Sequence, residues 1–271
     1  MNGSKDIRIK ESKLTELIKA AGKLAVAFSG GTDSTYLLYK AHEMLGDNAL
    51  AVTVRSQVLT GEEFEWTAEF CRSKSIRQAV IDYDVFASEQ FGDNPPDRCY
   101  YCKRLIFTNI KKTASDNGIT EVADGSNTDD TGDYRPGMRA VKELGIISPL
   151  MEAGLTKNDI RTLSKEAGLP TWDKPAAACL ASRFAYGEKI TEEGLARVAA
   201  AERIIKDMGF DGIRVRVHGG IARIEASPED IELIAYERTR KEISEELKRL
   251  GFKYVTIDMD GYRTGSMNEV L

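Results

Sequence analysis

The sequence LAVAFSGGTDS occupies residues 24–34 and decides the fold of the first half of the chain. Its apolar run, residues 24–28, predicts a buried strand, and the residues after Gly31 predict the start of a helix. Paired glycines at such a corner let the backbone approach a ligand closely and adopt torsion angles that a side chain would forbid. The free amide groups and the positive end of the helix favour an anion, so this corner predicts a phosphate-binding loop.

The hydroxyl groups of this loop add hydrogen-bond donors for a phosphate group. Asp33 is placed either to orient a metal ion or to cap the helix. The loop is not a Walker A loop, because no Gly-Lys-Ser/Thr sequence follows the glycines. It resembles instead the PP-loop of ATP pyrophosphatases, which cleave ATP to AMP and pyrophosphate; an ordinary strand–turn–helix corner is the alternative. The residues expected to contact ATP here are Ser29, Gly30, Gly31, Asp33 and Ser34.

Strand-like and helix-like segments alternate through the first half of the chain. The predicted strands are 24–28, 49–54, 78–81 and 121–123, and the predicted helices between and after them are 34–45, 61–73 and 101–116. This alternation predicts an α/β fold, a Rossmann-like parallel sheet with helices on both faces. Ligands in such folds bind at the carboxyl ends of the strands.

The second half of the chain has a different pattern. A helix over 156–168 precedes an irregular segment, and the predicted elements after it are a helix at 190–208, a hairpin of 212–217 with 221–226, a helix from Ser227 toward Leu250, and a strand at 252–257. This pattern predicts a smaller α+β domain. We therefore divide the chain into a PP-loop domain, 1–170, and a smaller C-terminal α+β domain, 171–271.

The composition of the chain makes some classes of function unfavourable. The chain has 271 residues, 42% hydrophobic and 30% charged, with a net charge of −5. No apolar run approaches the roughly 18 residues that span a bilayer, and the first ten residues are polar, so we expect a cytoplasmic protein without a membrane partner. The negative charge makes a large nucleic-acid partner unfavourable, because phosphate backbones bind chiefly lysine and arginine.

A second polar loop, residues 124–130, follows the predicted strand 121–123. It would leave the same edge of the sheet as the first loop, so we expect Gly125 and Asn127 to contact the nucleotide. Carboxylates of Asp129 or Asp130 are suited to Mg²⁺, which prefers oxygen ligands. The alternative is an ordinary turn, since such loops are rich in Gly, Asn and Asp.

The four cysteines suggest metal or catalysis rather than disulfides. Cys99 and Cys102 form a Cys-x-x-Cys pair, which cannot by itself fill four tetrahedral positions. With Cys179 they would supply three thiolates, which suits an iron–sulfur cluster with one open iron. A dithiol/disulfide pair is the rival interpretation of Cys99 and Cys102. Cys71 lies on the apolar face of a predicted helix and is expected in the core.

The segment after residue 174 places one cysteine among small residues, followed by Ser182 and Arg183. A nearby cation lowers the pKa of a thiol and makes the thiolate a nucleophile or ligand, so Arg183 favours a functional Cys179. A buried free cysteine is the alternative.

Further charged residues are candidates for ligand binding. Arg214 and Arg216 share one face of a predicted strand, which fits either a phosphate-binding patch or an exposed charged face. Glu202 and Glu225 are either surface residues or metal ligands. The arginines within 134–139 lie close to the predicted nucleotide edge and suit a phosphate or carboxylate substrate.

Four motifs together resemble the LarE family of ATP-dependent sulfur transferases, which helps to make the nickel-pincer nucleotide cofactor of lactate racemase. The motifs are SGGTDS at 29–34, GSNTDD at 125–130, DYRPGMR at 133–139 and PAAACLASR at 175–183. Their order and spacing agree over nearly the whole chain.

The resemblance implies a reaction and roles for the residues. A carboxylate of pyridinium-3,5-biscarboxylic acid mononucleotide would be adenylylated by Mg²⁺-ATP with release of pyrophosphate, and sulfur would then displace AMP. Arg214 and Arg216 would bind substrate or nucleotide phosphate. Catalysis is expected from Cys179, Asp33, Ser182 and Arg183, and metal binding from Glu202, Glu225 and Asp129. The family also implies a sulfide donor as partner and a homo-oligomer.

The family uses two sulfur sources. In one form a cysteine at the position of Cys179 gives up its own sulfur; in the other, three cysteines hold a [4Fe–4S] cluster that carries an extra sulfide. Cys99 and Cys102 beside Cys179 match the cluster form. Rival functions are a cluster-dependent tRNA thiolation enzyme, a nucleotide sensor without turnover, and a glutaminase-fed synthetase.

Overall fold

The structure is a computed structural model that describes residues 2–132, 136–175, 178–263 and 266. In chain order its helices are α1 (Asn2–Ala21), α2 (Thr32–Leu45), α3 (Gly61–Ser73), α4 (Glu89–Gly92), α5 (Arg98–Asp116), α6 (Pro136–Glu143), α7 (Pro149–Glu152), α8 (Lys157–Glu166), α9 (Glu192–Asp207), α10 (Pro228–Ala235) and α11 (Glu237–Arg249). Its strands are β1 (Leu24–Ala27), β2 (Ala49–Arg55), β3 (Arg77–Asp82), β4 (Glu121–Ala123), β5 (Arg214–His218), β6 (Ile221–Glu225) and β7 (Tyr254–Ile257).

The chain folds into two compact units. The first contains residues 1–84 and 99–177, and the second contains 85–98 and 178–271. Our predicted boundary after residue 170 differs at two places: residues 171–177 lie in the first unit, and residues 85–98 lie in the second. Residues 85–98 join the second unit through long-range hydrogen bonds, such as that from Ile190 N to Gly92 O (2.9 Å), which sequence order does not reveal.

The first unit is built on a four-stranded parallel sheet of order β3-β2-β1-β4. Because side chains alternate along a strand, the apolar runs of the central strands place apolar side chains on both faces of the sheet. Val26 and Ala51 face a core that includes Leu37 of α2. Ala25 and Val52 face the opposite core, with Ile110 of α5. The predicted α/β fold is confirmed, and β1 and β4 are neighbours, so the segments that follow them leave the same edge of the sheet.

Helix α1 has no counterpart in the predicted elements. Its polar beginning obscures an apolar stripe at helical spacing, in which Ile7, Leu14 and Ile18 are buried in the core on one face of the sheet. The stripe is the usual pattern of an amphipathic surface helix.

The second unit contains an antiparallel pair, β5 with β6, and the parallel strand β7 beside β6. Ser227 caps α10 as predicted, accepting a hydrogen bond from Asp230 N, with proline at the first helical position. The single helix predicted from Ser227 toward Leu250 is wrong. The backbone turns extended at Tyr236 (ψ 143°), which separates α10 from α11.

In the described part of the chain, no helix is both long enough and apolar enough to cross a membrane.

The buried stripe of α1 can be tested by truncation. We expect Leu14→Ala, at a fully buried position, to lower the free energy of unfolding by about 2–5 kcal/mol, because it removes packed methyl groups and leaves a cavity. The matched control is Ile9→Ala on the same helix, 62% exposed, which should change it by less than about 0.5 kcal/mol. Urea unfolding followed by tryptophan fluorescence reports on this unit, because Trp66 and Trp172 both lie in it. Equal losses for the two variants would contradict the packing of α1.

Candidate active site

The glycine loop between β1 and α2 has the torsion angles and close contacts that require glycine. Gly30 has φ +74°, a left-handed conformation that favours glycine, and a Cβ there would lie 3.0 Å from Thr67 Cγ2 and 3.1 Å from Trp66 Cε3. Gly31 is the N-cap of α2, with extended backbone and no side-chain cap. The loop therefore presents the amino-terminal end of a helix at the carboxyl edge of the sheet, an arrangement that favours an anion.

Hydroxyl groups hold the shape of this loop. The Ser29 and Ser34 hydroxyls lie 3.2 Å apart, and Ser34 Oγ also donates to Gly31 O at 3.2 Å. Thr35 Oγ1 donates to the same carbonyl at 2.7 Å, and Thr32 Oγ1 donates to Thr171 O at 2.8 Å. The predicted nucleotide residues Ser29 and Ser34 thus meet across the loop; that they contact ATP stays a prediction.

The second polar loop packs directly against the first turn of α2. A Cβ on Gly125 would lie 3.0 Å from Ser34 N and 3.4 Å from Asp33 C, so only glycine fits without a backbone shift. Asn127 Nδ2 donates to Asp33 Oδ2 at 3.4 Å. The structure therefore brings together the two loops that the sequence placed at one edge of the sheet.

Asp33 is held by Lys157, which sequence reasoning missed. Lys157 Nζ donates to both carboxylate oxygens of Asp33, at 2.9 and 2.8 Å. Burial raises the pKa of Asp33 above its ordinary value, Lys157 opposes that shift, and the charge of Asp130 adds to it. The sequence signal was its position near the start of the predicted helix 156–168. Lys157 is the first residue of α8, which Thr156 and Asp159 cap. Its contact with Asp33 depends on the packing of α8 beside α2.

Asp129 is engaged at the start of α8. Its carboxylate accepts a hydrogen bond from Lys157 N at 2.9 Å, and its own amide donates to Asn127 Oδ1 at 2.9 Å. It therefore helps to fix the helix that carries Lys157. A role of Asp129 in Mg²⁺ binding stays a prediction.

Lys174 also reaches the glycine loop. Its Nζ donates to Gly30 O at 3.1 Å and lies 5.1 Å from the centre of the Trp66 ring. Sequence reasoning placed Lys174 in an irregular segment and gave it no role, because nothing local ties that segment to the loop.

The cysteines of the first unit fall into two environments. Cys71 is buried as predicted, and burial raises the pKa of its thiol to about 12. Cys99 is exposed and Cys102 is partly exposed, one turn apart near the start of α5, so their side chains share a helix face. Tyr100 between them donates to Glu143 Oε2 at 2.7 Å, and Arg139 of the predicted arginine motif lies 3.7 Å above its ring.

The described ranges contain no group of three or more His, Cys, Asp or Glu side chains that could hold a metal ion. Residues 133–135 of the predicted arginine motif and residues 176–177 before Cys179 lie outside the described residues.

Cys179, in the second unit, is exposed and precedes a short 3₁₀ helix, Leu180–Arg183. Arg183 is buried and donates to Ala178 O at 2.8 Å, Cys179 O at 3.2 Å and Ser182 Oγ at 3.0 Å. It also forms a two-pronged ion pair with Glu202, at 2.8 and 2.9 Å. Arg183 therefore fixes the backbone around Cys179. Its catalytic role, and that of Ser182, stay predictions.

The strand residues of this unit form a second ion pair. Arg216 donates twice to Glu225 Oε2, at 2.9 and 2.8 Å, and to Ser182 O at 2.7 Å. Both side chains are buried, so the alternative of an exposed charged face is wrong for this pair. Burial lowers the pKa of Arg214, and the neighbouring cations Arg183 and Arg216 act in the same direction. The structure thus gathers three arginines, Ser182 and the predicted metal ligands Glu202 and Glu225; metal and phosphate binding stay predictions.

The sheet order, the glycine loop after β1 and the loop packed against it define a PP-loop α/β protein. The chain is 38% identical over 263 residues to pyridinium-3,5-bisthiocarboxylic acid mononucleotide synthase of Lactiplantibacillus plantarum, covering 97% of this chain and 95% of that one. It is 40% identical over 264 residues to an uncharacterized protein of Synechocystis, covering 96% and 98%. The tRNA-specific 2-thiouridylase MnmA of Rickettsia felis is 26% identical over 190 residues, 56% of this chain and 52% of that one.

No protein-family model matches the chain. The 38% identity to the Lactiplantibacillus synthase, which extends over nearly the full chain, nevertheless shows that the chain belongs to the LarE family. The protein is therefore an enzyme of the PP-loop sulfur-transferase class.

The contrast among the cysteines gives a direct test. Because alkylation needs the thiolate, we expect iodoacetamide at pH 8 to modify Cys99 and Cys179 in the folded, iron-free protein while Cys71, with its raised pKa and buried sulfur, stays unmodified. Peptide mass spectrometry reads each site separately. The same reaction in urea is the control, and there Cys71 should react as well. Modification of Cys71 in the folded protein at the rate of Cys99 would contradict its placement.

Proposed function

We propose that this enzyme converts pyridinium-3,5-biscarboxylic acid mononucleotide to its thiocarboxylic forms by ATP-dependent sulfur insertion. The observation that carries the proposal is the 38% identity to the Lactiplantibacillus synthase over 97% of this chain. The product belongs to the pathway of the nickel-pincer cofactor of lactate racemase, as the family resemblance implies.

The chemistry requires activation, because a carboxylate is a poor electrophile. A carboxylate oxygen of the substrate would attack the α-phosphorus of ATP, and the bond to the β-phosphate would break with release of pyrophosphate. Sulfur would then attack the acyl carbon of the adenylate, and AMP would leave with the carboxylate oxygen. Adenylation thus turns a carboxylate oxygen into part of AMP, which is a better leaving group than the free carboxylate offers.

The first unit supports the ATP half of this reaction. The amino-terminal end of α2 and the glycine backbone of Gly30 and Gly31 suit the phosphates of ATP. Lys157 is held beside the loop by Asp33, where its charge would favour the triphosphate and the departing pyrophosphate. Mg²⁺ would suit the same edge, because the charge of Asp130 raises the pKa of Asp33 and a divalent cation would relieve that repulsion.

The second unit supports the substrate half. Arg214 and Arg216 are candidates for the substrate phosphate, since a guanidinium offers paired donors to an anion. The pairing of Arg216 with Glu225 and of Arg183 with Glu202 holds two guanidinium groups in fixed orientations before any ligand arrives. Arg183 in turn fixes the backbone of Cys179, close to Ser182.

The accessibility of three thiols supports the proposal of a [4Fe–4S] cluster. Cys99 and Cys102 present accessible sulfurs on one face of α5, and Cys179 is exposed, whereas Cys71 is buried. Cys99, Cys102 and Cys179 would hold three irons, and the bound cluster would supply the sulfur for insertion at its open iron.

The contact between the two loops gives a test of the ATP half. We expect Gly125→Ala to reduce pyrophosphate release by at least about tenfold, because its Cβ would push the second loop away from Ser34. The matched control is Gly61→Ala, where nothing lies within 4 Å of the added Cβ. Pyrophosphate and the sulfur-for-oxygen mass change of the substrate are measured together, with the substrate mononucleotide, ATP and sulfide supplied. Substrate-dependent pyrophosphate release with no sulfur in the product would contradict the proposed reaction.

Iron content tests the sulfur source. We expect anaerobically purified protein to carry about four irons per chain with broad visible absorbance, both lost in Cys99→Ala and kept in the control Cys71→Ala. Protein that stays iron-free after anaerobic reconstitution would overturn the cluster. It would indicate Cys179 as a sacrificial donor, visible as a loss of the mass of H₂S after one turnover.

The similarity to MnmA keeps tRNA thiolation as a second candidate. Binding of tRNA with a steep salt dependence, together with no conversion of the mononucleotide, would favour that function.

A further inference from the structure

We propose that Lys174 is a positioning residue of the ATP site. It holds the peptide between Gly30 and Gly31 in the orientation that directs the N–H of Gly31 toward a bound phosphate. This inference rests on the proposed function, in which the glycine loop binds the phosphates of ATP. Sequence reasoning gave Lys174 no role, and every residue that carries the argument lies in the first unit.

The carbonyl of Gly30 is bound by the ammonium of Lys174. Lys174 Nζ donates to Gly30 O at 3.1 Å. The peptide that begins with this carbonyl is trans, so the C=O of Gly30 and the N–H of Gly31 point to opposite sides of it. The N–H is therefore directed away from Lys174. A rotation of the peptide would break the hydrogen bond and bring the partly negative oxygen to the side that the N–H had occupied.

The side away from Lys174 is the open side of the loop. Gly30 is buried, and a Cβ there would lie 3.1 Å from Trp66 Cε3, whereas Gly31 is partly exposed and a Cβ there would meet Ser29 Oγ at 3.7 Å. Gly31 is also the N-cap of α2, and the first amides of a helix have no partner within the helix. Its N–H is therefore directed to where an anion can accept it.

The glycine pair needs such a contact because glycine has no side chain that restricts its backbone. The carbonyl of Gly31 is already held, since it accepts hydrogen bonds from Thr35 N at 3.0 Å, Thr35 Oγ1 at 2.7 Å and Ser34 Oγ at 3.2 Å. Lys174 does the same for the carbonyl of Gly30. Both carbonyls of the pair are thus fixed by hydrogen bonds on the protein side.

Lys174 itself is held in place by its surroundings. Its ammonium lies 5.1 Å from the centre of the Trp66 ring, which stacks on Phe70 with 5.2 Å between ring centres. Lys174 N donates to Thr171 O at 3.2 Å and so closes a turn, and Thr32 Oγ1 donates to the same carbonyl at 2.8 Å. This turn therefore contacts the glycine loop at two points, and the ammonium is in position before a ligand binds.

Binding of Mg²⁺-ATP, titrated by calorimetry without the second substrate, tests the role of Lys174. We expect Lys174→Met, which keeps the length but lacks the donor, to raise the Kd at least about tenfold, because the Gly30 carbonyl loses a hydrogen bond to a charged group. Lys174→Gln keeps a neutral donor and should raise the Kd about threefold at most. The matched control is Lys165→Met. It removes a lysine that lies 4.4 Å from the centre of the Trp172 ring, and it should bind ATP as the wild type does.

The amide resonance of Gly31 reports on the peptide itself. In protein labelled with ¹⁵N at its 23 glycines, this resonance is assigned by its absence in Gly31→Ala, which the open space around a Cβ there allows. Saturating inorganic pyrophosphate should shift it downfield in the wild type and in Lys174→Gln, and leave it in place in Lys174→Met. A purely structural role of Lys174 would lower the melting temperature of Lys174→Met but keep this shift.

Wild-type affinity and a wild-type Gly31 shift in Lys174→Met would overturn the positioning role while leaving ATP use intact. Equal losses of affinity in Lys174→Gln and Lys174→Met would also overturn it, because they would indicate a direct contact between the Lys174 charge and the phosphates.

If circular dichroism shows that Lys174→Met fails to fold, Thr32→Val decides the matter. It releases the turn at its other contact with the loop and should also weaken ATP binding, whereas unchanged affinity would overturn the proposal. Wild-type protein that binds neither ATP nor pyrophosphate would overturn the proposed function itself, and this inference with it.

Discussion

The first unit depends on the close approach of the loop after β4 to the first turn of α2. At Gly125 the backbone of one loop lies where a Cβ would be 3.0 Å from Ser34 N, so the two loops meet without a side chain between them. The approach is possible because β1 and β4 are neighbours in the sheet. Asn127 then reaches Asp33, and Asp129 fixes the start of the helix whose first residue, Lys157, also binds Asp33. Three elements thus hold one carboxylate beside a helix terminus that favours phosphate.

The second unit is organised by buried ion pairs. Removing an arginine and a glutamate from water is costly, and a buried pair repays that cost only when geometry and further hydrogen bonds are good. Arg216 and Arg183 meet that condition: each binds a glutamate through two nitrogens and also binds backbone of residues 178–182. The ion pairs therefore fix the orientation of the two guanidinium groups more than they stabilise the fold. They place cationic groups around the cysteine turn in advance, which suits a site for an anionic substrate.

Several elements show where sequence reasoning failed. Helix α1 was missed because its beginning is mostly polar, although Leu14 and Ile18 lie one helical turn apart and are both buried. The helix after Ser227 was predicted too long, because the spacing of apolar residues continues past Tyr236. The backbone turns at Tyr236, and Ile234 of α10 and Ile243 of α11 are both buried. Residues 85–98 were assigned to the first domain by their place in the chain. A hydrogen bond from the Asn94 amide joins them instead to a segment of the second unit about ninety residues later.

The sequence by itself determined the parallel sheet, the glycine loop after β1, the second loop after β4, and the buried position of Cys71. Each of these follows from local patterns: apolar runs, paired glycines, helical spacing and capping residues. Only the tertiary structure decided the partners of the polar and charged groups. The contacts of Lys157 with Asp33, of Arg216 with Glu225, and of the Asn94 amide with the Glu188 backbone carbonyl all join distant segments. Local patterns fix which elements form, but the pairing of buried polar groups depends on how those elements pack, and no spacing along the chain encodes it.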